Sequence, residues 1–368
     1  MSDKPIHVVK PSLPPIDEYI REIEDIWQTG WLTHSGPKHQ ALERELCSYL
    51  GISYTSLFCN GHMALEAVLS VLPLSGEVIT TPFTFASTTQ AIIRAGLTPV
   101  FCDIEPDTYT MCPKETRKMI TEKTCAIMPV HVYGNLCDVC EFKAIGDEFN
   151  IPVIYDAAHA FGMEFDGRGV AQLGDITMFS FHATKVFNTI EGGALCYEDG
   201  ELHKKFAAWM QFGMLGKEDA EMIGTNAKMN EFQAAMGLCN LPLVESDINK
   251  RKMLTQRYRK HLSCISGIEL CPEQPNVKHN YAYFPIVFDP DRFGQIRDDV
   301  LSRLASHNIY PRKYFYPLTS DFSAYIKYDF KGETPIARVI ADRVLTLPLY
   351  ADLEIEDVDR VCSVILSN

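Results

Sequence analysis

The sequence predicts an α/β fold: a large domain built on a mostly parallel sheet, followed by a smaller C-terminal α+β domain. The first observation is that short apolar segments of strand length alternate with helical segments from about residue 55 to residue 156, the signature of βαβ units. The second is that beyond residue 263 this alternation gives way to a mixed order of strands and helices. The third is length, since 368 residues suffice for two or three domain-sized units with substantial cores. The expected division is 1–245 and 246–368.

Taken in order, an amphipathic helix is expected over 17–27. The stretch Gly30-Trp31-Leu32-Thr33-His34-Ser35-Gly36-Pro37 ends it, and a second helix covers 38–50. Strand 55–59 runs through Asn60-Gly61 into a helix over 62–72. Strand 77–80 precedes helix 88–95, strand 99–102 precedes helix 114–121, and strand 124–132 precedes helix 140–149. Strand 152–155 ends on Asp156. Segments 176–181 and 193–197 read as two further strands, with Lys185 between them. A helical stretch over 225–263 is broken near Pro242. In the C-terminal part, strands are expected near 282–288 and 344–347, and helices near 296–307 and 334–343.

Composition narrows the function classes. With 46% hydrophobic and 22% charged residues the chain falls among soluble globular proteins. A formal net charge of −14 argues against nucleic acid as the main ligand, yet leaves room for a small anion held at one helix N-terminus. The N-terminus lacks the basic and apolar regions of a secretory signal, and no uncharged apolar run reaches the roughly 18 residues of a membrane span. A cytoplasmic setting without membrane contact is therefore expected. The 12 cysteines stand in apolar contexts such as Leu57-Phe58-Cys59 and Val100-Phe101-Cys102, which suit reduced thiols better than a disulfide framework. Cys137 and Cys140, with His131 upstream, lack the second pair that a metal tetrad needs, so no metal site is expected.

Open α/β sheets bind ligands at the carboxyl ends of their strands, so the informative residues should follow strands. Asn60-Gly61-His62 lies at a strand–helix junction, where free N–H groups can hold a phosphate; a tight turn needs the same glycine. Asp156 closes an apolar strand and needs a partner, which a protonated pyridine nitrogen would supply; alone, a helix cap is its commoner role. Lys185 follows Ser180-Phe181-His182-Ala183-Thr184 out of a buried strand. Desolvation there would lower its pKa and allow Schiff-base chemistry, although most lysines are solvated surface groups. The joint arrangement is what discriminates: Asp156 and Lys185 stand on successive strand ends, with a glycine turn upstream and Phe85 after another strand.

Asn60-Gly61, Thr84-Phe85, Asp156-Ala157-Ala158-His159, the run from Ser180 to Lys185, Glu191-Gly192-Gly193, and the segment from Gly224 through Asn226 to Ala235 together resemble the sugar aminotransferases of the DegT/DnrJ/StrS family, over nearly the whole chain. The resemblance implies the type I fold of aspartate aminotransferase and a pyridoxal 5′-phosphate cofactor. It also implies that Lys185 forms the internal aldimine and shuttles protons, Asp156 pairs with the pyridine nitrogen and Phe85 stacks on the ring. His159 would lie near the phenolic oxygen, while Ser180 and the amides of Gly61 and His62 bind phosphate. Asn226 would reach the cofactor phosphate of a neighbouring subunit, which implies a homodimer with shared active sites. This chain departs from the family pattern at His62, where Thr is usual, and at Lys228, where Arg is frequent.

Retention of Lys185 favours transamination over the family's dehydratase branch. By resemblance the amino donor is L-glutamate and the acceptor a nucleotide-linked keto sugar. The substrate-binding candidates are Thr33 and His34 in the N-terminal loop, with Arg312 and Tyr316 beside the Tyr314-Phe315-Tyr316-Pro317 run. Arg312 could meet a pyrophosphate or merely join a solvated basic pair with Lys313. The run from His182 to Asn188 is most similar to enzymes acting at C4 of dTDP-4-keto-6-deoxyglucose. Amination at C3 of a 3-keto isomer, a UDP- or GDP-linked acceptor, and a non-catalytic scaffold of the same fold are the alternatives.

Overall fold

A computed structural model describes residues 4–367 apart from 215, 217 and 329; residues 1–3, where the N-terminal reading begins, lie outside the described residues. Among the described residues, two groups of strands form one central sheet. Tyr54–Phe58, Gly193–Tyr197, Ile176–Ser180 and Ile154–Asp156 neighbour one another in that order. Thr124–Ile127, Glu77–Thr80 and Thr98–Phe101 extend it, joined through the parallel bridges Ile127 to Val153 and Val130 to Asp156. Only Gly193–Tyr197 runs antiparallel to its neighbours, with Gly193 opposite both Phe58 and Ser180. The other strands therefore present their carboxyl ends at one edge.

These strands are apolar along their whole length because both faces are covered. Side chains alternate between the faces. Phe58, Met178 and Leu195 pack among Ala64, Leu65 and Phe206, under helices Gly61–Val71 and Gly200–Trp209. Leu57, Phe179, Ala194 and Cys196 face the other way, towards Leu42, Leu46 and Ala234 of helices Pro37–Leu50 and Glu231–Asn240.

A second core lies in the C-terminal part. The antiparallel strands Ile268–Leu270, Phe284–Phe288 and Val344–Leu347 are covered by helices Val244–Leu262, Arg297–Ser306 and Ile355–Leu366. Ile6–His7 reaches across from the start of the chain and pairs in parallel with Ile309–Tyr310.

Two expectations need correction. Residues 128–132 do not continue the strand that ends at Ile127, because Pro129 has no N–H to give and the chain turns through Tyr133 at φ 60°. Residues 225–230 are extended rather than helical. Ala227 takes the Cys59 N–H and gives its own to Met210, and helix Glu231–Asn240 starts only where Asn230 and Gln233 close a capping box. Helices Gly200–Trp209 and Ile355–Leu366 were not anticipated. All twelve cysteines are free; Cys102, Cys137, Cys196, Cys271 and Cys362 are buried, whereas Cys59 is only partly so. No helix among the described residues is long and apolar enough to cross a membrane.

Candidate active site

The sheet's carboxyl edge gathers the chemistry. Asp156 ends its strand with only 4% of its surface exposed. Its Oδ2 accepts from Thr88 Oγ1 at 2.7 Å and its Oδ1 from the Ala158 N–H at 3.1 Å. Burial raises the carboxyl pKa above the usual range, while Thr88, Ala158 and the Lys185 charge pull it back. Among the described residues no basic side chain is ion-paired with it, so the carboxylate keeps acceptor capacity for a cation.

Lys185 lies partly buried in the loop between strands Ile176–Ser180 and Gly193–Tyr197. Its Nζ stands 5.7 Å from the Tyr283 ring centroid, and the lysine lines a small cleft with Ala158, His159 and Tyr283. His159 is buried, 4.7 Å edge-on from the Tyr283 ring and parallel to Phe315 at 6.0 Å. Desolvation, then the Lys185 charge, hold its pKa well below that of a free imidazole. It is neutral, and because Nδ1 accepts the Tyr133 N–H at 3.0 Å, the ring proton sits on Nε2.

Gly61 opens helix Gly61–Val71, with Asn60 capping it through Met63 N–H at 2.9 Å. A Cβ on Gly61 would come within 3.0 Å of Ser180 Cβ, and one on Gly193 within 2.5 Å of Gly61 Cα. Two glycines thus let the helix start press against the end of strand Ile176–Ser180, bringing the Gly61 backbone close to Ser180. Gly193→Ala should force this junction apart. We expect a Tm several degrees lower and weaker phosphate binding, from overpacking of roughly 1–3 kcal/mol; a thermal melt with and without cofactor checks it. The His62 imidazole is turned aside, with Nδ1 3.0 Å from Ser87 Oγ and Nε2 2.9 Å from Glu66, which also binds Arg94.

Phe85 stands at the N-terminal boundary of helix Ala86–Arg94 and is 61% exposed. It lines a groove of about 390 Å³ together with Thr84, Arg312, Lys313 and Tyr316. The Tyr316 ring is backed by the Arg297 guanidinium at 4.8 Å and Lys313 Nζ at 5.5 Å. Thr33 and His34 do not line this groove. Their loop is tied instead to the start of helix Glu231–Asn240, where the Glu231 N–H donates to the Leu32 carbonyl at 3.0 Å, while the Glu231 carboxylate accepts from the Lys38 and His39 amides of helix Pro37–Leu50. Asn226 is exposed and its Oδ1 accepts from Lys228 Nζ at 2.6 Å. Sequence reasoning missed Thr88, Tyr133, Tyr283 and Asn280, which brace the pocket from distant segments; Asn280, for example, donates to the His159 and Phe161 carbonyls. Only Thr88 left a local sign, its i,i+4 spacing from Thr84.

A phosphate-ready helix start, a buried carboxylate with spare acceptors, a partly buried lysine and an exposed aromatic face are the donor set that pyridoxal phosphate requires. Fold and pocket together define a pyridoxal phosphate-dependent aminotransferase. Residues 16–366 match the DegT/DnrJ/EryC1/StrS aminotransferase family. A protein of Shigella dysenteriae named dTDP-4-amino-4,6-dideoxy-D-glucose transaminase is 42% identical over 363 residues, spanning 99% of each chain. The crystal structure of DesI in the presence of its TDP-sugar product superposes with TM-score 0.94 at 32% identity, covering 99% of this chain and 93% of that one. The PLP form of Spr1654 from Streptococcus pneumoniae gives 0.90 at 27% identity, covering 98% of each. The chain belongs to the DegT/DnrJ/EryC1/StrS aminotransferase family.

Proposed function

We propose that the protein moves an amino group from L-glutamate to C4 of dTDP-4-keto-6-deoxy-D-glucose, giving dTDP-4-amino-4,6-dideoxyglucose. The observation that carries this reading is the 42% identity, across 99% of both chains, to the transaminase named for that sugar. The groove supports it, since Phe85, Arg312 and Tyr316 share one cavity open to a long anionic substrate.

When bound, pyridoxal phosphate supplies an electron sink for the carbon that loses or gains a proton. In this reading Lys185 Nζ holds the cofactor and moves that proton. Asp156 would face the pyridine nitrogen, the His159 Nε2–H the phenolic oxygen, and Phe85 one ring face. Gly61 and His62 amides and the Ser180 hydroxyl would hold the phosphate. Arg312 would meet the substrate pyrophosphate and Tyr316 would border the sugar nucleotide, whereas Thr33 and His34 lie outside this groove.

The reading includes a homodimer in which Asn226 serves the partner's phosphate. The exposed apolar side chains of Phe212 and Ile223, with Ile223 95% exposed, lie near Asn226 in the chain and support a covered surface there. It also includes a cytoplasmic setting and a division at 245/246, with Ile6–His7 attached to the C-terminal core.

Glutamate-dependent amination of a panel of dTDP-, UDP- and GDP-linked keto sugars, with product regiochemistry read by NMR, tests it. The dTDP-4-keto sugar should be the preferred acceptor. Preference for a 3-keto isomer, or for another nucleotide, would overturn the assignment of the acceptor.

A further inference from the structure

We infer that Thr88 is a positioning residue: with Thr84 it forms a buried chain of hydroxyls that fixes the orientation and the charge of the Asp156 carboxylate. Thr84, Thr88 and Asp156 are all buried. Thr84 Oγ1 lies 3.0 Å from Thr88 Oγ1, which lies 2.7 Å from Asp156 Oδ2.

The direction of the chain follows from chemistry. An ionised carboxylate can only accept, so the Thr88 hydrogen points at Oδ2. The Thr88 lone pairs then face Thr84, whose hydrogen completes the relay. The local fold makes this possible: Thr84 just precedes helix Ala86–Arg94, and Thr88 sits in its first turn, one helical turn further on. With the Ala158 N–H on Oδ1, both oxygens are held from the protein side, and the carboxylate plane is set before any ligand arrives. Hydrogen bonds to a charged acceptor are the stronger kind, and a hydroxyl already polarised by a second hydroxyl is a better donor.

A mere packing role would tolerate valine, which has the shape of threonine without the hydroxyl. Electrostatic positioning would not. Without the Thr88 donor, burial is opposed only by the Ala158 amide and the Lys185 charge, and the carboxyl moves towards its neutral form. A neutral Asp156 no longer holds a proton on the nitrogen of a pyridine ring facing it.

This inference rests on the reading that Asp156 faces the pyridine nitrogen, and the test separates the two. Holoenzyme of wild type, Thr88→Val, Thr88→Ser, Thr84→Val and Asp156→Asn is loaded with cofactor carrying ¹⁵N in the ring. The ring-nitrogen resonance and the cofactor Kd are then measured across pH. Wild type and Thr88→Ser should show the protonated nitrogen. Thr88→Val should shift towards the unprotonated position at a pH where wild type does not, with Kd raised roughly tenfold or more. Thr84→Val should shift less, in the same direction. A wild-type resonance and Kd in Thr88→Val overturns the inference. Should that variant not fold, an unshifted Thr84→Val does so instead. An unshifted Asp156→Asn would instead overturn the pairing of Asp156 with the nitrogen, and the inference with it.

Discussion

Replacing Lys185 with alanine is expected to abolish turnover while leaving the fold in place. The side chain is only partly buried and stands beside Tyr283 and His159 at the edge of a small cleft, so truncation removes little buried packing. Loss of proton transfer alone should lower kcat roughly 10²- to 10⁴-fold, and loss of the amine that holds the cofactor adds to this. Circular dichroism and a thermal melt should match wild type, while the visible absorbance of the attached cofactor should disappear. A variant that aminates a nucleotide keto sugar at the wild-type rate would show that another group carries the proton.

Asp156→Asn should be nearly as damaging, by a different route. The carboxylate receives Thr88 on one oxygen and Ala158 on the other. An asparagine has one acceptor oxygen and an NH₂, so one of the two donors would face another donor. The variant also cannot form the ion pair with a pyridinium. Removing one partner of a buried charge pair costs about 3–5 kcal/mol, and expressed in a transition state this corresponds to roughly 10²- to 10⁴-fold in rate. Some cofactor should remain, because the phosphate site, Phe85 and Lys185 are untouched. Single-turnover kinetics with glutamate reads the proton-abstraction step directly; a normal rate there would reject the proposed role.

How legible the molecule was depended on the reach of each interaction. The strands that follow the continuous-apolar rule, such as 77–80 and 193–197, were legible because burial on both faces leaves a local pattern. Segment 225–230 was not. Its composition suits a helix, but its backbone is claimed by Met210 and Cys59, partners from distant parts of the chain. The shortened strand at Ile127 follows from Pro129 and from a turn stabilised by the neighbouring strand at Asp156.

The candidate site divides in the same way. Which chemical groups follow the strands was legible locally, because strand–turn junctions leave a local pattern: Asp156, Gly61, Ser180 and Phe85 at or just beyond strand ends, and Lys185 in the loop after one. Tertiary structure decided what those groups are. It withdrew Asp156 from water and gave it Thr88, fixed the His159 proton on Nε2 through the Tyr133 amide, and turned the His62 ring towards Ser87 and Glu66. Burial and hydrogen bonding to distant partners set charge, tautomer and orientation, and those contacts exist only once the chain has folded.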